Sequence, residues 1–148
     1  MRQIVFALRF TGRAEAVGPN GSVLRAATTA PSAAITSVVS PEGLTGDYQP
    51  VGGGEATFES EVVFTGETCF LESGSIAFGA GNTLRFSTVG QGYLGPAVDP
   101  RLKHGVVAWR VDGGEGQFAG ASGLIASNFT VAGDLSVVDN QCGVVFVV

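Results

Sequence analysis

From Gln3 to Thr11, Ile4, Phe6, Leu8 and Phe10 recur at every second position. Successive side chains of an extended chain point to opposite sides, so these four share one face. The spacing predicts a strand over 3–11. Shorter runs of β-branched and aromatic residues follow at Ala34–Ser40, Thr57–Thr65, Cys69–Leu71, Ser75–Phe78, Thr83–Val89, Val106–Asp112, Leu124–Val131 and Gly143–Val148, with glycine between them. They predict eight or nine strands at the spacing of a sandwich or barrel. No stretch keeps apolar residues at i, i+3, i+4 and i+7 without a Gly or Pro in it, so no helix is expected. Two segments read as irregular: Gly12–Pro31, around a short strand at Ser22–Ala26, and Pro41–Gly54, a candidate lid or rim loop beside a plain long connection.

The two ends choose between sandwich and barrel. Gly143–Val148 is apolar on both faces, and an exposed edge strand of that kind invites aggregation. Pairing it with the first strand removes both edges. The expectation is one all-β domain over 1–148, an antiparallel eight-stranded closed barrel, with the first strand beside the last.

Composition narrows the function. Charged residues make up 14% of the 148, against about 25% in an average protein. The net charge of −5 argues against a nucleic-acid binder and against adsorption to an anionic membrane. No apolar run reaches the length of a membrane span and no signal-peptide pattern is visible, so a cytoplasmic protein is expected. Cys69 and Cys142 form no C-x-x-C; they read as two buried thiols or, in a secreted chain, as a disulfide. His104 stands alone, too little for a zinc site, and no G-x-S-x-G elbow accompanies it. No metal or cofactor is expected.

The most specific stretch is Asp112–Ile125, with five glycines between Gly113 and Gly123. It lacks the G-K-[ST] of a phosphate loop, and a β-prone segment follows where a nucleotide fold needs a helix. A tight strand connection explains it, with Phe118 turned inward to plug one end. Gly113, Gly114, Gly116, Phe118, Gly120 and Gly123 match a G-G-x-G-x-F-x-G-x-x-G pattern. In this the chain resembles small β-barrels of the allene oxide cyclase and dirigent type, a calycin-like architecture. The similarity extends more weakly over Phe58–Val131. It implies an apolar cavity, no cofactor, a dimer or trimer, and cyclisation or isomerisation of a hydrophobic small molecule. It carries over no catalytic residue, because the proline and asparagine cluster of the plant cyclases has no counterpart here.

Candidate ligand-binding residues come from polar groups near apolar runs. Arg85 and Arg110 alternate with Leu84, Phe86, Trp109 and Val111; each is an outward charge or an anchor for a carboxylate or enolate inside the cavity. Tyr48 and Tyr93, both expected in loops, suit a cavity rim or ordinary surface packing. Asn128 shares a face with Leu124 and Ala126, and sits in the cavity if that face lines it. The sequon at Asn128-Phe129-Thr130 lies in a predicted strand and reads as chance. Glu59 and Glu61 lie about 7 Å apart on one strand face, opposite Phe58, Val62 and Phe64, and are expected in water. The expected partners are an apolar small molecule, either as substrate of a cofactor-free isomerase or as cargo of a carrier, and a second or third copy of the chain. An uncharacterised oligomeric structural barrel is the remaining alternative.

Overall fold

The computed structural model of the chain describes all residues, Met1–Val148. It is all-β, with two single 3-10 turns at Pro19–Gly21 and Gly116–Phe118. Nine strands run in chain order: β1 Arg2–Ala16, β2 Val23–Ser40, β3 Gly43–Phe64, β4 Cys69–Phe78, β5 Thr83–Thr88, β6 Gly92–Pro96, β7 Leu102–Gly114, β8 Ser122–Ala132 and β9 Ser136–Val147. All pairings are antiparallel and form one ring-like sheet. Neighbours in sequence are neighbours in space except at β5 and β6. These two succeed one another in the gap between β4 and β7: β5 pairs with Ser73–Ala77 of β4, and β6 with Cys69–Phe70. The nine strands therefore occupy eight places around the ring. The seam is the expected one, with β1 and β9 laddered from Arg2↔Val147 to Arg13↔Ser136.

The irregular segments of the sequence are strand. Gly12–Ala16 continues β1, and the Pro19–Gly21 turn links it to β2. Past the tight turn at Pro41-Glu42, the rest of Pro41–Gly54 is strand rather than a lid or a long loop. With Ala33–Ser40 it makes an exposed two-stranded arm that extends β2 and β3 beyond the ring. Turn-forming residues mark connections by composition, but here Pro and Gly sit in a ribbon whose flanks face solvent, where they disturb no neighbouring ladder. The short pair around Cys69 and Ser75 is one strand, β4, and Gly92-Tyr93-Leu94 belongs to β6 rather than to a loop.

Inside the ring, side chains stack in layers along the axis. One end is sealed by Phe6, Phe78 and Phe118, with Phe78 centred 5.4 Å from Phe6 and 5.3 Å from Phe118. Phe118 thus turns inward as the glycine stretch implied. The next layer is Phe10, Phe58, Phe86 and Trp109, with rings 4.4 to 5.8 Å apart. Such contacts add about 0.5–1.5 kcal/mol each beyond area burial. Glycine makes room for this aromatic load: Gly143 lies opposite Phe6, Gly92 opposite Phe70 and Gly105 opposite Phe129, and each ring occupies the space a Cβ would need.

Candidate functional site: a carboxylate pair in the lumen

Between the aromatic layers and the open end lies a band of buried polar side chains: Thr28, Ser60, Glu72, Ser127, Asp139 and Gln141. Glu72 shares strand parity with Phe70 and Ile76, and Asp139 with Val137, Val145 and Val147, so the alternation that builds the core also drives both acids inside. Each is held by a serine across its own hairpin. Ser60 Oγ donates to Glu72 Oε1 at 2.6 Å between β3 and β4, and Ser127 Oγ donates to Asp139 Oδ1 at 2.6 Å between β8 and β9.

These two hairpins have one design. The serine precedes its acid by 12 residues in both. In both, the serine pairs with the residue two places after the acid: Ser60↔Gly74 and Ser127↔Gln141. β3 and β8 lie four places apart in a ring of eight, as do β4 and β9, and β3 and β8 run in the same direction. The acids are therefore presented from opposite walls of the ring, and both face one cavity.

Their protonation differs. Burial first, and the nearby Asp139 charge after it, push Glu72 up to about 8 against the opposing Ser60 hydrogen bond. The Trp109 indole N–H bears on Glu72 without closing a hydrogen bond. Burial also pushes Asp139 up, but only to about 6, because Ser127 and Gln141 both donate to it; Gln141 Nε2 reaches Oδ2 at 2.7 Å. At neutral pH one carboxyl is mainly protonated and the other mainly ionised.

Both line a cavity of about 50 Å³, eleven of whose fifteen lining residues are apolar. A space that size holds a few waters or the end of a small molecule. Leu24, Phe64, Leu94 and Val131 form its mouth and also line an outer vestibule of about 430 Å³, where Arg101 and Lys103 sit. Thr28 Oγ1, Trp109 Nε1 and Gln141 Oε1 are buried without partners.

None of the five residues singled out by sequence lines this cavity. Arg85 and Arg110 face outward, toward Glu115 at 3.9 Å and Asp112 at 2.9 Å, because Leu84, Phe86, Trp109 and Val111 take the inner parity. Asn128 is on the outer wall; Ile125, Ser127 and Phe129 face in, and the Leu124–Ala126 face is the outside. Tyr93 is exposed on β6. Tyr48 lies in the arm, its ring 4.3 Å beneath the Arg9 guanidinium. Glu59 and Glu61 are exposed, as expected, and so is His104. Both cysteines are free, and Cys142 is exposed rather than buried, since Gln141 and Gly143 take the inner positions beside it. No group of His, Cys, Asp or Glu is arranged to hold a metal ion, and no helix is long and apolar enough to cross a membrane. No family model, no curated protein and no solved structure matches this chain.

Proposed function

We propose that the chain is a small barrel that binds an apolar molecule and isomerises or cyclises it by acid–base chemistry, without a cofactor. The observation that carries this reading is the opposed Glu72–Asp139 pair, one carboxyl an acid and the other a base at neutral pH, in an apolar lumen. Environments that push two carboxyls apart assign them acid and base roles. Asp139 takes a proton from carbon beside a carbonyl, while Glu72 gives its proton to the carbonyl oxygen. With a β,γ-unsaturated ketone the resulting dienol is reprotonated at its γ carbon by Asp139 and returns its oxygen proton to Glu72, so the double bond moves into conjugation and both groups are regenerated. Thr28 Oγ1 offers a free hydroxyl to orient the oxygen, and the apolar walls keep water from competing. The glycine pattern at Gly113–Gly123, shared with barrels of the allene oxide cyclase type, supports the same class.

The test is deuterium uptake from D₂O by small enolisable ketones, followed by NMR. Wild type should accelerate exchange beside the carbonyl, and Asp139→Asn should lose the acceleration. Trp109, the single tryptophan, reports binding by its fluorescence. Binding without exchange by any ketone would make the protein a carrier and sink the catalytic reading.

A further inference from the structure

The ladder between β1 and β2 stops early. β1 and β2 pair from Ala16↔Leu24 to Thr11↔Thr29 and no further. Two residues on, Pro31 has no N–H to donate, and the β2–β3 register shifts between Pro31 and Ala33. From there β2 leaves β1 and runs out into the arm. Two strand edges are left without partners. Arg2–Phe10 of β1 is laddered to β9 alone, and Ala33–Ser40 of β2 to β3 alone.

These edges match. Six steps beyond Thr11↔Thr29, the β1–β2 register sets Val5 opposite Ile35, and further steps set Arg2 opposite Val38. Val5 is 64% exposed, Ile35 49% and Val38 51%, so the pairing covers apolar side chains that the single chain leaves in water. Charge is complementary as well. The arm carries Glu42 and Asp47 and no basic residue, while Arg2–Phe10 carries Arg2 and Arg9 and no acid. Arg9 already stacks on Tyr48 at the root of the arm. An isolated two-stranded ribbon is marginal in water, and an open edge is a template for another chain.

We propose that the arm is an exchange element between two copies of this chain. In a two-fold dimer, each copy lays Ala33–Ser40 antiparallel along Arg2–Phe10 of the other, in the register that β1 and β2 abandon at Pro31. The partner's strand completes the ladder that the chain's own β2 cannot continue past its proline, which is the low-cost route by which an identical element swaps between protomers.

Disulfide trapping tests this in a Cys69→Ser/Cys142→Ser background. Chains carrying only Val5→Cys are mixed with chains carrying only Ile35→Cys and oxidised. The expected product is a covalent heterodimer holding the share of the protein that random pairing of the two chains brings together, with no product from either chain alone. Absence of the heterodimer overturns the proposal. So does a predominantly monomeric, intrachain-linked product when both cysteines sit in one chain. Light scattering adds a second reading: wild type should be a dimer at micromolar concentration. A chain with Ser32–Gly54 replaced by Asn-Gly should keep its strand circular dichroism and fall to half the mass. A monomeric wild type, or a dimer that survives loss of the arm, overturns the proposal.

Discussion

The β3–β4 and β8–β9 hairpins place a serine and an acid in the same register, yet Glu72 and Asp139 come out about two pH units apart. One structural difference lies two residues after each acid, at the position paired with the serine. In β9 that residue is Gln141, whose amide gives Asp139 a second donor. In β4 it is Gly74, which has none, and Phe86 fills the space in front of it. A buried carboxylate with two donors keeps much of its acidity; one with a single donor gives it up to desolvation. Equal frames thus yield an acid on one wall and a base on the other: Gln141 holds Asp139 down, while the neighbouring Asp139 charge carries Glu72 further up.

The comparison breaks most visibly with pH. Both carboxyls are easier to protonate in the folded chain than in the unfolded one. The folded state therefore binds more protons between the two pKa values, and stability falls as pH rises through that window. The window runs from 3.8 to about 6 for Asp139 and from 4.5 to about 8 for Glu72. Between pH 6 and 8 Glu72 alone contributes, at about 1.4 kcal/mol per pH unit or about 3 kcal/mol in all. Urea unfolding should show that Glu72→Gln removes this limb, whereas Asp139→Asn flattens the part below pH 6 and shortens the limb above it, because the charge that helps to raise Glu72 is gone.

Making the hairpins alike by Gly74→Gln should fail, at a cost of about 2 kcal/mol at every pH. A Cβ at Gly74 meets the Glu59 carbonyl and Ser60 Cα, which are backbone and cannot step aside. The reverse change, Gln141→Leu, strips Asp139 of its second donor. Carboxyl NMR titration should show Asp139 moving up toward Glu72, with about 1.5 kcal/mol lost at pH 8 and little at pH 5. The smallest effect belongs to Ser60→Ala, about 1 kcal/mol by thermal unfolding, with Glu72 moving higher and Asp139 nearly still.

Alternation made the walls legible from sequence: Ile4 to Phe10 face in, Glu59 and Glu61 face out, and β1 meets β9. The same rule placed the acids, since Glu72 is in step with Phe70 and Ile76, and Asp139 with Val137 and Val145. They were missed because a charge in a strand is ordinarily assigned to water, and nothing local shows that Ser60 and Ser127 wait across the hairpin. Asn128 was tied to the wrong face because Leu124 and Ala126 are apolar too; only the greater bulk of Ile125 and Phe129 distinguishes the inner set. The arm was hidden by Pro41, Pro50 and Gly52–Gly54, whose turn chemistry outweighed the strand pattern. β6 was hidden by being only five residues long.

The seam between β1 and β9 also sets how this chain must fold. Arg2 is made long before its partner Val147. Pairs so distant carry the full entropy of closing a long loop, and proteins dominated by them fold slowly. During synthesis β1 has no β9 to meet, so a growing sheet with an open flank precedes the ring. Joining Val148 to Met1 through a short linker and opening the chain at the Gly79–Gly81 turn would convert the most distant pairing into a local one. The refolding rate of that permutant, set against wild type, measures how much of the folding barrier is the closing of the seam.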